Sequence, residues 1–278
     1  MIRLMIILNL LLSTSISFAG IENFDNIIFI HRSVGANLVR YGGARELLEQ
    51  YNKERGTNLT FWDHGYSSLT DGKRPFTPYG IINHNTNPDG YFDLFTQPIN
   101  DPPDNAFSRI MANHEVIVFK SCFTAARIWN EKVLFDYKRW YLAIRDAIDK
   151  HPEKLFIAVT PPPLAKAHTP PEMADRVRRF SQWLKSDEFV KGHPNLCVMD
   201  LWELLAEQSP KSPYYNCLKG EYGGDASDSH PNQAANKIIA PLFVKFMTAA
   251  IEDYSRIAPK SSSQKQLEKD DEFVKTGK

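Results

Sequence analysis

Two short segments at opposite ends of the chain carry residue types that together can perform nucleophilic acyl chemistry. The first, His31-Arg32-Ser33-Val34-Gly35-Ala36-Asn37, places a serine just after an apolar run. The second, Gly223-Gly224-Asp225-Ala226-Ser227-Asp228-Ser229-His230-Pro231-Asn232, places acids just before a histidine. A serine hydroxyl is a poor nucleophile at its ordinary pKa. It needs an imidazole within hydrogen-bond reach, and the imidazole needs a carboxylate or carbonyl to fix its tautomer. Ser33, His230 and one aspartate supply those parts, with Asp228 preferred over Asp225 as the orienting acid. A serine opening a helix also has backbone N–H groups beside it that can face a developing oxyanion. Ser33 is therefore a candidate for the oxyanion hole as well. Gly65, in Asp63-His64-Gly65-Tyr66-Ser67, offers a second bare N–H, and Ser121, in Lys120-Ser121-Cys122-Phe123, offers a hydroxyl. His31 stands where a Gly-x-Ser-x-Gly elbow would need its first glycine, which disfavours that kind of nucleophile turn.

These residues need a scaffold that gathers them. Five runs rich in β-branched and aromatic residues predict strands over Asn26 to His31, Asn58 to Asp63, Glu115 to Lys120, Leu155 to Thr160 and Asn195 to Asp200. Most are nearly continuously apolar, as expected when helices cover both faces of a parallel sheet. Thr169-Pro170 predicts a helix start, followed by Met173, Val177, Phe180 and Leu184 at helical spacing. Val133, Tyr137, Trp140, Tyr141, Ile144 and Ile148 predict another helix whose aromatic stripe is core. A last helix is expected from near Pro231 through Ile238, Leu242 and Phe246, bent or split at Pro241. In an open parallel sheet the loops after the strand C-termini converge on one crevice, so Ser33, Gly65 and Ser121 are all expected there. Residues 67–114 are rich in proline and aromatic residues with little periodicity, which reads either as a flap over the sheet edge or as a substrate-binding lid. Thr160-Pro161-Pro162-Pro163 is expected to shape the crevice wall.

The chain has 278 residues, 42% hydrophobic and 24% charged, which is an ordinary globular composition. Lys+Arg and Asp+Glu both total 33, so the excess cation that phosphate-backbone binding needs is lacking and nucleic acid is not an expected partner. At the front, Arg3 precedes an apolar run from Leu4 to Leu12 and then small residues Ser17 and Ala19, the order of a secretory signal. Residues 1–19 are read as that signal, 20–258 as one α/β domain and 259–278 as a disordered polar tail. No later stretch reads as long and apolar enough to span a bilayer, so an exported protein, periplasmic or secreted, without an integral membrane segment is expected. Cys122, Cys197 and Cys217 are an odd number of thiols, with Cys197 and Cys217 a candidate bridge.

The order of these blocks resembles the SGNH (GDSL-like) hydrolase superfamily over about residues 25 to 250. Ser33 stands where that family's nucleophile follows the first strand, Gly65 matches the second block's glycine, and His230-Pro231-Asn232 matches the histidine end of the last block. The resemblance implies a three-layer α/β/α fold around a five-stranded parallel flavodoxin-like sheet. It implies an esterase or acyl hydrolase that uses no cofactor and acts on O-acylated glycans or small acyl esters. Three departures stand out: the usual Gly-Asp before the serine is absent, the third block has Lys120-Ser121-Cys122 in place of its oxyanion-hole asparagine, and the position three before His230 is Ser227, with acids two before (Asp228) and five before (Asp225). A non-catalytic extracytoplasmic glycan-binding module on the same fold is the alternative from another class. A metal-dependent hydrolase built on Asp63, His64, Asp225, Asp228 and His230 is disfavoured because no two of its histidines share a helix-face ligand spacing. Asp63, His64 and His31 read instead as local hydrogen-bonding residues.

Overall fold

The computed structural model describes residues 24–65, 67–81, 87–99 and 104–259. The expected signal (1–19) and the tail beyond Pro259 lie outside the described residues. Along the chain run β1 (Asn26–His31), α1 (Ser33–Arg40), α2 (Ala44–Arg55), β2 (Thr60–Gly65), β3 (Ser68–Thr70), β4 (Pro75–Phe76), α3 (Pro88–Phe95) and α4 (Ala106–Asn113). Then come β5 (Val116–Lys120), α5 (Glu131–Ile148), β6 (Leu155–Val159), α6 (Pro171–Leu184), α7 (Asp187–Val190), β7 (Leu196–Met199), α8 (Leu201–Leu205) and α9 (Gln233–Ser255).

The strands form one mixed sheet of seven in the order β4-β3-β2-β1-β5-β6-β7. This corrects the expected five-stranded parallel sheet. Strands β2, β1, β5, β6 and β7 are parallel neighbours, while β3 and β4 add an antiparallel hairpin at the β2 edge. The hairpin lies in the proline-rich connection, whose described part also builds α3 and α4 and buries Tyr91, Leu94, Phe95, Phe107 and Ile110. Pro88 begins α3 at a position where its missing N–H costs nothing, and Pro75 sits on an edge strand, the place in a sheet that tolerates it.

The apolar runs are continuous because each strand feeds two cores. On β1, Ile28 and Ile30 join the core with α3 to α7, and Ile27 and Phe29 join the core with α1, α2 and α9. On β5, Ile117 and Phe119 face the first core, Val116 and Val118 the second. Helices therefore cover both faces. The chain leaves β1 toward β2 and leaves its neighbour β5 toward β6, so the two connections run in opposite directions from adjacent strand ends. That is the topological switch point at which open α/β sheets place ligands.

Helix α9 is not split at Pro241, and its buried face is shifted from the expected one. Pro241 lies inside one continuous helix, on its exposed face, where water can reach the carbonyl that loses its donor. Its buried face is Ala235, Ile239, Phe243, Met247 and Ile251, one position along from the expected stripe, leaving Ile238 and Leu242 exposed. By length and composition this helix is also apolar enough to cross a membrane, contrary to the expectation for segments after the leader. Half of that stretch is buried inside the domain as core. The three cysteines are free: Cys197 lies on β7 and Cys217 in the loop after α8, with no bridge between them.

Candidate active site

Ser33 is the first residue of α1, immediately after the end of β1. Its neighbour Arg32 is extended (φ −123°, ψ −155°) and caps the helix without a side-chain bond. The first intrahelical bond runs from the Ala36 N–H to the Arg32 carbonyl, at 2.9 Å. Helical geometry thus leaves the N–H groups of Ser33, Val34 and Gly35 with no partner inside the helix.

His230 arrives from the other end of the sequence on a loop fastened at several points. Gly224 sits so close to the preceding backbone that a Cβ there would lie 2.0 Å from the Leu218 carbonyl oxygen, and Gly223 takes a left-handed φ of 105°. This tight turn folds the loop back. Ser229 Oγ accepts the Ala165 N–H at 3.0 Å, tying the loop to the segment after β6. Asn232 caps α9, its side chain accepting the Ala235 N–H at 2.9 Å, and its own N–H donates to the Tyr222 carbonyl at 2.9 Å. His230-Pro231-Asn232 is therefore a histidine held two residues ahead of a helix cap.

The two ends meet. Ser33 Oγ lies 2.7 Å from His230 Nε2, and His230 Nδ1 lies 2.5 Å from Asp228 Oδ1. Because the carboxylate only accepts, Nδ1 carries the hydrogen and Nε2 is left to accept the Ser33 hydroxyl proton. The His230 side chain is 27% exposed and that of Asp228 64% exposed, so solvent screens this pair and Asp228 acts by orienting the ring. Phe123 packs edge-on to the imidazole, with ring centroids 4.9 Å apart. Asp225 instead accepts the Tyr214 hydroxyl, a correction to its inclusion beside His230.

The segment after β5 approaches Ser33 through Cys122, not Ser121. The Ser121 hydroxyl is buried and faces the Tyr141 hydroxyl at 3.3 Å, whereas Cys122 Sγ lies 3.5 Å from Ser33 Oγ. The reason is alternation: Val118 and Cys122 belong to the core beneath α1, and Ser121 falls on the opposite side with Tyr141 and α5. The same alternation in the sequence, counted from the strand's apolar residues, is the signal that points to Cys122. Burial opposes ionisation of the Cys122 thiol. The Lys120 charge, the Ser33 hydroxyl and the N–H groups of Val34 and Phe123 outweigh it and bring the thiol below its usual range. Lys120 is itself wholly buried, donates to the Ser121 carbonyl at 2.8 Å, and is pulled down to about 8 by burial. The Tyr91 hydroxyl accepts the Lys120 N–H at 2.9 Å and donates to the Ile30 carbonyl at 3.1 Å, pinning α3 across the ends of β1 and β5.

Gly65 closes β2 opposite His31 in the parallel register. A Cβ at Gly65 would lie 2.9 Å from Cε1 of His31, so the ring of His31 accounts for the glycine there. Asp63 pairs with His31, and the buried His64 accepts the Tyr79 N–H at 3.3 Å. Of the five residues considered for a metal, Asp228 and His230 are thus the two that bond each other, and no group of metal-binding side chains occurs among the described residues.

No family model and no curated protein matches the chain. Among solved structures it is similar to the C-terminal catalytic domain of peptidoglycan O-acetyltransferase A from Streptococcus pneumoniae, with 12% identity over 85% of this chain and 97% of that one and a TM-score of 0.47. It is also similar to a gut microbial diltiazem-metabolizing enzyme, with 14% identity over 81% of this chain and 47% of that one and a TM-score of 0.48. A third is an acylhydrolase candidate from Bacteroides fragilis, with 12% identity over 82% of this chain and 88% of that one and a TM-score of 0.43. Identity this low leaves the chemistry of Ser33 and His230 to be decided by their own geometry.

Proposed function

We propose that the protein is an exported serine esterase or acyl hydrolase of the SGNH type. The observation that carries this is the unbroken line of hydrogen bonds from Ser33 Oγ through His230 to Asp228, at 2.7 and 2.5 Å, across 197 positions of sequence. In this scheme His230 Nε2 takes the Ser33 proton as Oγ attacks an ester carbonyl, and returns it to the leaving alcohol. The acyl-Ser33 ester is then hydrolysed by a water activated on the same nitrogen. Asp228 holds the tautomer throughout. The Ser33 N–H, at the positive end of α1, faces the oxyanion, with the Gly65 N–H as the second candidate donor. The Lys120 charge that lowers the Cys122 thiol beside Ser33 would also favour the negative charge of the tetrahedral intermediate.

The leader-like order of residues 1–19 supports export, and with it O-acylated glycans or small acyl esters as substrates. Hydrolysis of 4-nitrophenyl acetate tests the activity. Native protein is expected to turn it over and Ser33→Ala to lose that turnover while keeping its fold by circular dichroism. Full activity in Ser33→Ala would reject the mechanism, and no activity in the native protein with saturable glycan binding would favour a binding module instead.

A further inference from the structure

A second histidine–aspartate pair lies beneath the nucleophile's turn, and the scheme above makes no use of it. His31, the last residue of β1, is 1% exposed, and its ring packs 4.5 Å from that of Phe29. Its Nε2 is hydrogen-bonded to Asp63 Oδ1, and its Nδ1 lies 2.7 Å from the carbonyl oxygen of Arg32. Burial alone would raise the Asp63 carboxyl, but the His31 bond and charge, with Arg45 nearby, hold it below its ordinary value, so it is an acceptor. A peptide carbonyl is an acceptor too. Each ring nitrogen therefore faces an acceptor, and the hydrogen on Nδ1 is the one that reaches the Arg32 carbonyl. Two glycines make room for the ring: a Cβ at Gly35 would lie 2.4 Å from its Cγ, and one at Gly65 2.9 Å from its Cε1.

The Arg32 carbonyl and the Ser33 N–H are the two ends of one planar trans peptide and point in opposite directions. That carbonyl is held twice, by His31 Nδ1 at 2.7 Å and by the Ala36 N–H at 2.9 Å. Fixing it fixes the direction of the Ser33 N–H. Resting on the proposed role of Ser33, we infer that His31 is a positioning residue: through the Arg32 carbonyl it aims the Ser33 N–H at the oxyanion. It touches no substrate. A merely structural ion pair would make a different demand, since it requires only Nε2 and Asp63.

Two substitutions separate these roles. The amide nitrogen of asparagine falls near Nδ1, and that of glutamine near Nε2. His31→Asn keeps the donor to Arg32 and gives up Asp63, and His31→Gln does the reverse. With 4-nitrophenyl acetate, His31→Gln is expected to lose about 10²-fold in kcat, in the range for a lost oxyanion donor, with KM within about twofold. His31→Asn should stay within about tenfold of the native kcat, whatever the order of the two melting temperatures. Glutamine matching or exceeding asparagine, or activities that track only the folded fraction, would overturn the inference. If neither variant folds, nitrogen NMR of histidine-labelled native protein decides: a hydrogen on His31 Nδ1 supports it, and a bare Nδ1 overturns it. Ser33→Ala is the control. Retained turnover there removes the function and this role together, whereas a clean loss there with the asparagine and glutamine order reversed removes this role alone.

Discussion

Two histidine–aspartate pairs flank the turn that carries Ser33, and they differ in what faces the second ring nitrogen. In His230 that nitrogen meets the Ser33 hydroxyl, a group with a proton to give, and the pair stands at a partly exposed rim. In His31 it meets the Arg32 carbonyl, which only accepts, and the ring is buried under α1 between Gly35 and Gly65 while Asp63 is half-buried. The first ring can receive a proton and pass it on. The second faces an acceptor at each nitrogen and holds the turn. Residue types alone do not separate a base from a brace; the partner of the other nitrogen does.

The largest effect that would break this contrast is at the rim. His230→Ala should lower kcat/KM by about 10⁴-fold or more, because the serine then lacks its base. Activity within about tenfold of native would remove the distinction. Next comes the choice of acid. Asp228→Asn should cost about 10²- to 10⁴-fold through loss of the tautomer lock, and Asp225→Asn, which releases only Tyr214, should stay within about threefold. Equal losses in the two variants would contradict the assignment. Beneath the turn, Gly35→Ala drives a methyl into the His31 ring and should destabilise the fold by about 1–3 kcal/mol in urea unfolding, with a fall in kcat and little change in KM.

The smallest and broadest effect concerns histidines that have no carboxylate bonded to the ring. Burial lowers His64 to about 4 and His114 to about 3. Both are neutral in the folded state, while the unfolded chain takes up protons near the ordinary value of about 6.5. The unfolded state thus binds more protons as pH falls, so stability present above about 6.5 should decline toward pH 4. The urea midpoint should drop over that window, and less steeply in His114→Gln. A midpoint that is flat between pH 7 and 5 would contradict the neutral assignment.

Much of the scaffold was legible because two-sided burial writes itself as unbroken apolar runs. Ile27 to Ile30, Val116 to Phe119 and Leu155 to Val159 could be placed as central strands on that ground. The order of Ser33 and His230 along such a sheet was enough to bring them to one crevice. The edge hairpin was not legible, since Ser68–Thr70 and Pro75–Phe76 are too short to show a period. Nor was the identity of the neighbour to Ser33: Ser121 has the more obvious hydroxyl, but strand alternation turns it toward Tyr141 and presents Cys122. From sequence His31 reads only as a local hydrogen-bonding residue, because its partner in the turn is a backbone carbonyl, which no side-chain pattern records.

In the proposed function Ser33 is a nucleophile activated by His230. A fluorophosphonate probe tests it most directly, with the modified peptide mapped by mass spectrometry after labelling of the native protein, Ser33→Ala and His230→Ala. One adduct per chain on Ser33 is expected in the native protein, none in Ser33→Ala, and labelling slowed by orders of magnitude in His230→Ala. An adduct on a different residue, or equal labelling rates in native and His230→Ala protein, would contradict it.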